Sequence, residues 1–121
     1  MALYDNWELI KKIDRDIEGI LSKSRKDDPG FVYELRAKRE GDYKNVRTNQ
    51  IVHLKEGEVW KIGETTKGSA RYSQSSYEFI YFQMKPVFYG TKTEILVEEK
   101  TRLLNYYLHN GSLPPGNRIF R

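Results

Sequence analysis

Five widely spaced polar side chains are of types that could act together on a phosphate ester. They are a phenol, an ammonium group, a guanidinium group, a carboxylate and an amide: Tyr33, Lys61, Arg71, Glu99 and Asn117. Cleavage of a phosphodiester needs a group that takes a proton from water and groups that offset the charge developing on the phosphate. Each residue taken alone is more often structural, because structural charges outnumber catalytic ones. The interpretation as a site therefore depends on their order and on the elements that hold them.

Two predicted strands carry the first two of these side chains. Residues 30–39 alternate in a way that is typical of a strand, and Tyr33 lies near its start, just after Pro29-Gly30. Residues 58–64 form a second predicted strand, which contains Lys61 and is stopped by Gly63.

Predicted helices hold the next two side chains, and an irregular tail holds the last. Arg71 falls near the start of a helix predicted over residues 69–83, where Tyr, Phe and Ile also favour a strand. Glu99 lies in a helix predicted over residues 94–109, capped by Thr93 and ended at residues 110–111. The tail, residues 112–121, is irregular because it contains two prolines.

The remaining segments complete an α+β pattern. An amphipathic helix is predicted over residues 3–21, followed by a polar loop. Further predictions are turns at residues 40–43 and 56–57, an extended piece at 46–54 and a strand at 86–89. Strands and helices in this order predict a small α+β domain built around an antiparallel sheet.

Helix geometry favours Glu99 over its neighbour Glu98 as the functional carboxylate. Glu99 lies three residues after Leu96 and four before Leu103, so it shares the apolar face of the helix. Glu98 lies four residues before Arg102, on the face expected to meet solvent.

The ordered set resembles the GIY-YIG nuclease superfamily. Residues 30–33, Gly-Phe-Val-Tyr, look like the first family motif, and residues 61–63, Lys-Ile-Gly, look like the second. Arg71, Glu99 and Asn117 then follow in the family's order. The resemblance implies a small antiparallel β-sheet flanked by helices, over residues 29–121. Residues 1–28 would be an extra N-terminal helix and linker.

The resemblance also implies a reaction and a role for each residue. The protein would be an endonuclease that hydrolyses phosphodiester bonds, preferably in DNA, with Mg²⁺ or Mn²⁺. Tyr33 would be the general base or would position the water, with Lys61 as a cation beside it. Arg71 would contact the scissile phosphate, and Glu99 would hold the metal ion. Asn117 would make a hydrogen bond that fixes the site.

One departure from the family motifs keeps an alternative function open. The second motif has Lys61 where the family name predicts Tyr. A noncatalytic nucleic-acid-binding module with the same fold is therefore the second hypothesis. It predicts salt-sensitive binding without cleavage in any divalent ion.

The ending Gly-Ser-Leu-Pro-Pro-Gly-Asn is similar to that of nuclease domains found at the C-termini of bacterial polymorphic effectors. This likeness implies an antibacterial toxin that is delivered into a target cell as part of a secreted effector. It would act in the cytoplasm and be neutralised by a cognate immunity protein.

Composition bounds these hypotheses. A chain of 121 residues fits one compact domain. Its net charge of +4 favours polyanionic partners such as nucleic acid. The absence of Cys excludes disulfides, thiolate metal sites and thiol catalysis. The sequence also predicts neither a signal peptide nor a membrane span.

Overall fold

The computed structural model describes residues 11, 12, 15–17, 29–66 and 80–118. These residues form an α+β structure of antiparallel strands followed by a long helix. The five strands and the helix are β1 (Pro29–Ala37), β2 (Gly41–Lys44), β3 (Ile51–Leu54), β4 (Val59–Thr65), β5 (Phe82–Thr91) and α1 (Lys92–Asn110). Within these ranges, no helix combines the length and hydropathy needed to cross a membrane.

Three strands form one antiparallel sheet in the order β4-β1-β5, and β2 pairs with β3 as a separate hairpin. Tyr33, in the central strand β1, lies opposite Gly63 on β4 and Pro86 on β5. Strand β4 is at the edge of the sheet, so one row of its backbone N–H and C=O groups needs partners from outside the sheet.

Strand β1 is buried on both faces because a layer packs on each side of the sheet. Helix α1 covers one face, and the apolar residues between them form what we name the helix-side cluster: Val32, Ile62, Ile95, Leu103, Tyr107 and Leu113. The β2–β3 hairpin covers the other face and closes the hairpin-side cluster: Tyr33, Leu35, Ala37, Tyr43, Leu54, Trp60 and Phe82.

A bulge in β4 brings Trp60 to the face of the sheet that Tyr33 and Lys61 share. Leu35 pairs with Lys61, whereas the next residue of β1 pairs with Val59, so Trp60 is the extra residue. Directly opposite residues share a face, and bulges re-aim the side chains beside them. Trp60 consequently joins the hairpin-side cluster, and Lys61 follows it on that face.

The strands predicted over residues 30–39 and 58–64 are confirmed as β1 and β4, and the turn at Gly57 is confirmed with a φ of 85°. The turn predicted at residues 40–43 is wrong, because Gly41–Lys44 is strand β2, which pairs with β3. The extended piece predicted from residue 46 begins only at Ile51. Before it, the Asn45 side chain accepts hydrogen bonds from the backbone of Arg47 and Thr48 and holds a turn.

The strand predicted at residues 86–89 is the middle of the longer strand β5. Of the helix predicted over 69–83, residues 69–79 lie outside the described residues, and 80 and 81 are helical. Its last two residues belong instead to β5, because Phe82 is 2% exposed and stacks on Trp60 in the hairpin-side cluster. Of the helix predicted over 3–21, only residues 11, 12 and 15–17 are described, and they are helical.

Helix α1 confirms the helix predicted over residues 94–109 and begins two residues earlier. Thr91, not Thr93, is the N-cap: its hydroxyl accepts from the Glu94 N–H, and the Glu94 carboxylate accepts from the Thr91 N–H. This reciprocal pair is a capping box, which requires the acidic residue three positions after the cap. The predicted end is confirmed by Gly111, whose φ of 78° closes the helix.

Candidate functional site

A cleft of about 410 Å³ runs along the free edge of β4. Its lining includes four of the five residues that the sequence singled out: Tyr33, Lys61, Glu99 and Asn117. The fifth, Arg71, lies outside the described residues. The cleft therefore gathers a phenol, an ammonium group, a carboxylate and an amide from β1, β4, α1 and the segment after α1.

Tyr33 is fixed in the wall of the cleft by its neighbour on β4. Its side chain is 1% exposed and packs directly over Gly63. A Cβ atom at position 63 would lie 2.5 Å from the Tyr33 hydroxyl oxygen and 2.6 Å from Cζ. No side chain can occupy that space without moving the phenol, so the glycine of the Lys-Ile-Gly motif is a steric requirement of Tyr33.

Glu99 reaches the cleft because it lies one turn from two buried residues of α1, Ile95 and Leu103. Glu98 instead accepts a hydrogen bond from Arg102 Nε at 2.8 Å, in an ion pair one turn along the helix. Glu98 is half-buried rather than solvent-facing, and the choice of Glu99 as the functional carboxylate stays a prediction.

Lys100 also lines the cleft, although the sequence did not single it out. It is only 5% exposed, and its Nζ lies 3.8 Å from a carboxylate oxygen of Asp16 in the N-terminal helical segment. Asp16 also accepts from Lys12 Nζ at 2.7 Å. A signal was present in the sequence: Lys100 lies four residues after Leu96 and three before Leu103, the same periodicity that marked Glu99.

Asn117 holds the free edge of β4. Its side-chain oxygen accepts from the Ile62 N–H at 2.9 Å, and its side-chain nitrogen donates to the Ile62 carbonyl at 2.8 Å. Both ends of the amide are thus bonded to the backbone between Lys61 and Gly63. Asn117 fixes the motif strand in place, in the manner of a neighbouring strand.

Arg47 in turn holds the segment that carries Asn117. Its guanidinium group donates to the backbone carbonyls of Leu113, Pro114 and Asn117. Burial lowers the pKa of Arg47 from its ordinary value, and its charge interaction with Tyr106 opposes that effect. The contacts join residues more than 60 positions apart, so no local sequence signal could have revealed them.

Two carboxylates, Glu64 and Glu99, line the described part of the cleft. Glu64 accepts a hydrogen bond from Lys92 Nζ at 3.0 Å. Among the described residues, no group of three or more His, Asp or Glu side chains is placed to hold a metal ion. Glu99 fits a divalent ion of the kind bound by one carboxylate, with water and substrate phosphate completing the shell, which is a common arrangement for Mg²⁺.

No protein-family model, no curated protein and no solved structure matches this chain. The relationship to the GIY-YIG superfamily accordingly stays a prediction carried by the sequence motifs.

Proposed function

We propose that this protein is a metal-dependent endonuclease of the GIY-YIG type that hydrolyses phosphodiester bonds, with DNA as the preferred substrate. One observation supports the proposal most strongly. Tyr33, Lys61 and Glu99, which are far apart in the sequence, line one cleft together with the buried Lys100. A phenol, two cations and a carboxylate around one cleft are the groups that this reaction uses.

In the proposed mechanism, Lys61, on the same face of the sheet, stabilises Tyr33 as a phenolate. The phenolate positions the attacking water and takes its proton, becoming a phenol, as the water oxygen bonds to phosphorus. The bond from phosphorus to the leaving oxygen breaks, and that oxygen takes a proton from solvent. Lys100 offsets the negative charge that develops on the phosphate oxygens, and by resemblance Arg71 does the same with its planar donor fork. The rigid β4 edge keeps these groups in register because Asn117 occupies both polar groups of Ile62.

Glu99 is the residue that would hold Mg²⁺ or Mn²⁺. When bound, the ion supplies positive charge to the scissile phosphate and to the leaving oxygen. Glu64 lies in the same lining but is already an ion-pair partner of Lys92, so we assign it no metal.

The test is a supercoiled-plasmid assay of wild type, Glu99→Gln and Glu98→Gln with Mg²⁺, with Mn²⁺ and with a chelator. Glu98 is the matched control, because it is the adjacent carboxylate of the same helix but is paired with Arg102. We expect metal-dependent nicking or linearisation by wild type and Glu98→Gln, and a loss of at least about a hundredfold in Glu99→Gln. Full activity in Glu99→Gln, at unchanged thermal stability, would sink the assignment.

A second candidate, the noncatalytic nucleic-acid-binding module, is favoured by Lys61 at the position of the family's second Tyr. It predicts that wild type binds nucleic acid with a strong salt dependence and leaves the plasmid intact in both metals. Cleavage that starts with Mg²⁺ and stops with chelator eliminates it.

The proposed role as an antibacterial toxin has a separate test. Induced expression in a bacterial host should stop growth with wild type and not with Glu99→Gln. A cognate immunity protein would restore growth. High-level expression of wild type without harm counts against the toxin role but leaves the nuclease proposal to the plasmid assay.

A further inference from the structure

Three aromatic rings form a continuous path from solvent to the wall of the cleft. Tyr89 on β5 and Phe31 on β1 are directly opposite each other, with ring centroids 5.6 Å apart. Phe31 and Tyr33 are two residues apart on one strand, with centroids 6.2 Å apart in an edge-to-face arrangement. All three rings therefore lie on one face of the sheet.

The outer end of this path is open to solvent. Tyr89 is 70% exposed, the highest value among the large hydrophobic residues exposed in the described part of the chain, and belongs to neither buried cluster. Phe31 is half-buried beside it and packs against the hairpin-side cluster. Single exposed aromatic residues are common and need no explanation. This one, however, continues into Phe31 and through it to the cleft residue that we propose as the base.

We propose that Tyr89 and Phe31 form a stacking platform for one unpaired nucleobase next to the scissile phosphate; this inference rests on the proposed function. Every base has a π-face, so aromatic stacking binds nucleic acid with little dependence on sequence. The phosphate would lie in the cleft against Lys61 and Lys100, while the adjoining base turns outward onto the rings. The net charge of +4 fits such a polyanionic ligand.

The stacking platform predicts that losing the Tyr89 ring changes the affinity for nucleic acid but not its salt dependence. Removing the Tyr89 ring should weaken binding about tenfold, within the range expected for one stacked base. The slope of log affinity against log salt concentration should not change, because that slope counts phosphate contacts and Tyr89 makes none.

The experiment measures fluorescence anisotropy of a labelled single-stranded DNA 12-mer in chelator, over a salt series. The proteins are wild type, Tyr89→Ala, Tyr89→Thr, Tyr89→Phe and Tyr81→Ala. Tyr89→Thr is a second test, because a β-branched residue maintains strand propensity. Tyr81→Ala is the matched control: this tyrosine is 48% exposed but precedes the opposite end of β5. We expect weaker binding by Tyr89→Ala and Tyr89→Thr only.

Equal affinity of wild type, Tyr89→Ala and Tyr89→Thr overturns the platform, and so does a changed salt slope in either variant. A wild-type dimer in sedimentation that Tyr89→Ala abolishes, with DNA affinity unchanged, also overturns it and assigns the rings to a second copy of the chain. Failure of the nuclease proposal is seen separately, as binding without plasmid cleavage. Wild type that binds no nucleic acid overturns both.

Discussion

The two clusters on either side of the sheet differ in chemistry. The hairpin-side cluster is rich in aromatic rings: Trp60 and Phe82 stack with centroids 4.3 Å apart and an interplanar angle of 16°, and Tyr43 packs on Phe82. The helix-side cluster is mainly aliphatic. Charged groups are buried on its side of the sheet, where Glu34 is 8% exposed and Lys100 is 5% exposed.

The two sides of the sheet therefore contribute different properties. The hairpin side provides rigid packing, and the helix side provides buried charge. Flat rings pack in few arrangements, and the hairpin side uses them to fix Tyr33 and the segment after α1. Gly116 lies against the Trp60 ring so closely that a Cβ atom there would overlap it. The helix side instead holds the buried charged groups, with Glu34 hydrogen-bonded to Arg36 and Lys100 paired with Asp16. The cleft lies at the β4 edge, where the two sides meet.

The largest expected effect comes from removing the centre of the aromatic side. Trp60→Ala should lower the free energy of unfolding by about 3–5 kcal/mol, because it leaves a cavity beside Phe82. It should also loosen the segment that rests on the indole ring. Chemical denaturation measures the first effect, and hydrogen exchange of the Ile62 amide, which donates to Asn117, measures the second.

Two controls sharpen this result. Trp60→Phe retains a ring for the stack and loses the indole N–H bond to the Lys44 carbonyl, at a cost of about 1 kcal/mol. Leu103→Ala should destabilise the helix side by about 2–5 kcal/mol. Leu103→Ala should leave local exchange at Ile62 nearly unchanged. If it accelerates that exchange as much as Trp60→Ala does, the aromatic side is not what holds the segment after α1 in place.

An intermediate effect is expected at Gly63, where the hairpin side meets the motif strand. Gly63→Ala should lower the free energy of unfolding by about 1–3 kcal/mol, as overpacking does, because the new methyl group overlaps the Tyr33 phenol. The displaced phenol should also abolish plasmid cleavage. Unfolding and cleavage are measured on the same preparation.

Gly41→Ala is the matched control, since a Cβ atom there meets nothing within 4 Å. Its unfolding free energy should change by less than about 1 kcal/mol and its cleavage should be unaltered. Wild-type cleavage by a folded Gly63→Ala protein would show that the position of the Tyr33 phenol is not critical.

Local patterns predicted the parts of the fold that are determined locally. Alternation predicted β1 and β4, and helix periodicity predicted α1, because each signal lies within a few residues of its consequence. The turn at Gly57 and the end of α1 at Gly111 were equally local. The start of α1 was misplaced because two threonines could cap it, and only the spacing to Glu94 distinguishes them.

The supports of the site could not be predicted in the same way. Arg47 meets the carbonyls after α1 only in the folded chain, and the bulge at Trp60 depends on pairing with β1. Lys100 shares the inward periodicity of the helix, yet its charge placed it outside the predicted core. A lysine at such a position is stable only with a partner such as Asp16, which lies outside the helix.

The smallest effect is expected on the outer surface of the hairpin and depends on pH. His53 bonds to Glu40 Oε2 at 2.8 Å and to Asp42 Oδ1 at 3.0 Å. These two hydrogen bonds, that to Glu40 foremost, raise the pKa of His53 above its ordinary value of 6.5. The folded state therefore binds the proton more tightly than the unfolded state. The resulting stabilisation is complete below the unfolded pKa and is lost as the pH rises through the folded pKa.

Urea unfolding of wild type and His53→Gln across the pH range should reveal the stabilisation that comes from protonated His53. Wild type should be the more stable protein near about pH 5.5, and the difference should shrink as the pH rises above about 6.5. The effect should be small, because both carboxylates and the imidazole are exposed and screened by solvent. Plasmid cleavage by the variant should match wild type, since His53 does not line the cleft. A stability difference that grows with rising pH would contradict the assigned pairing, and a loss of cleavage would show that the hairpin surface acts on the site.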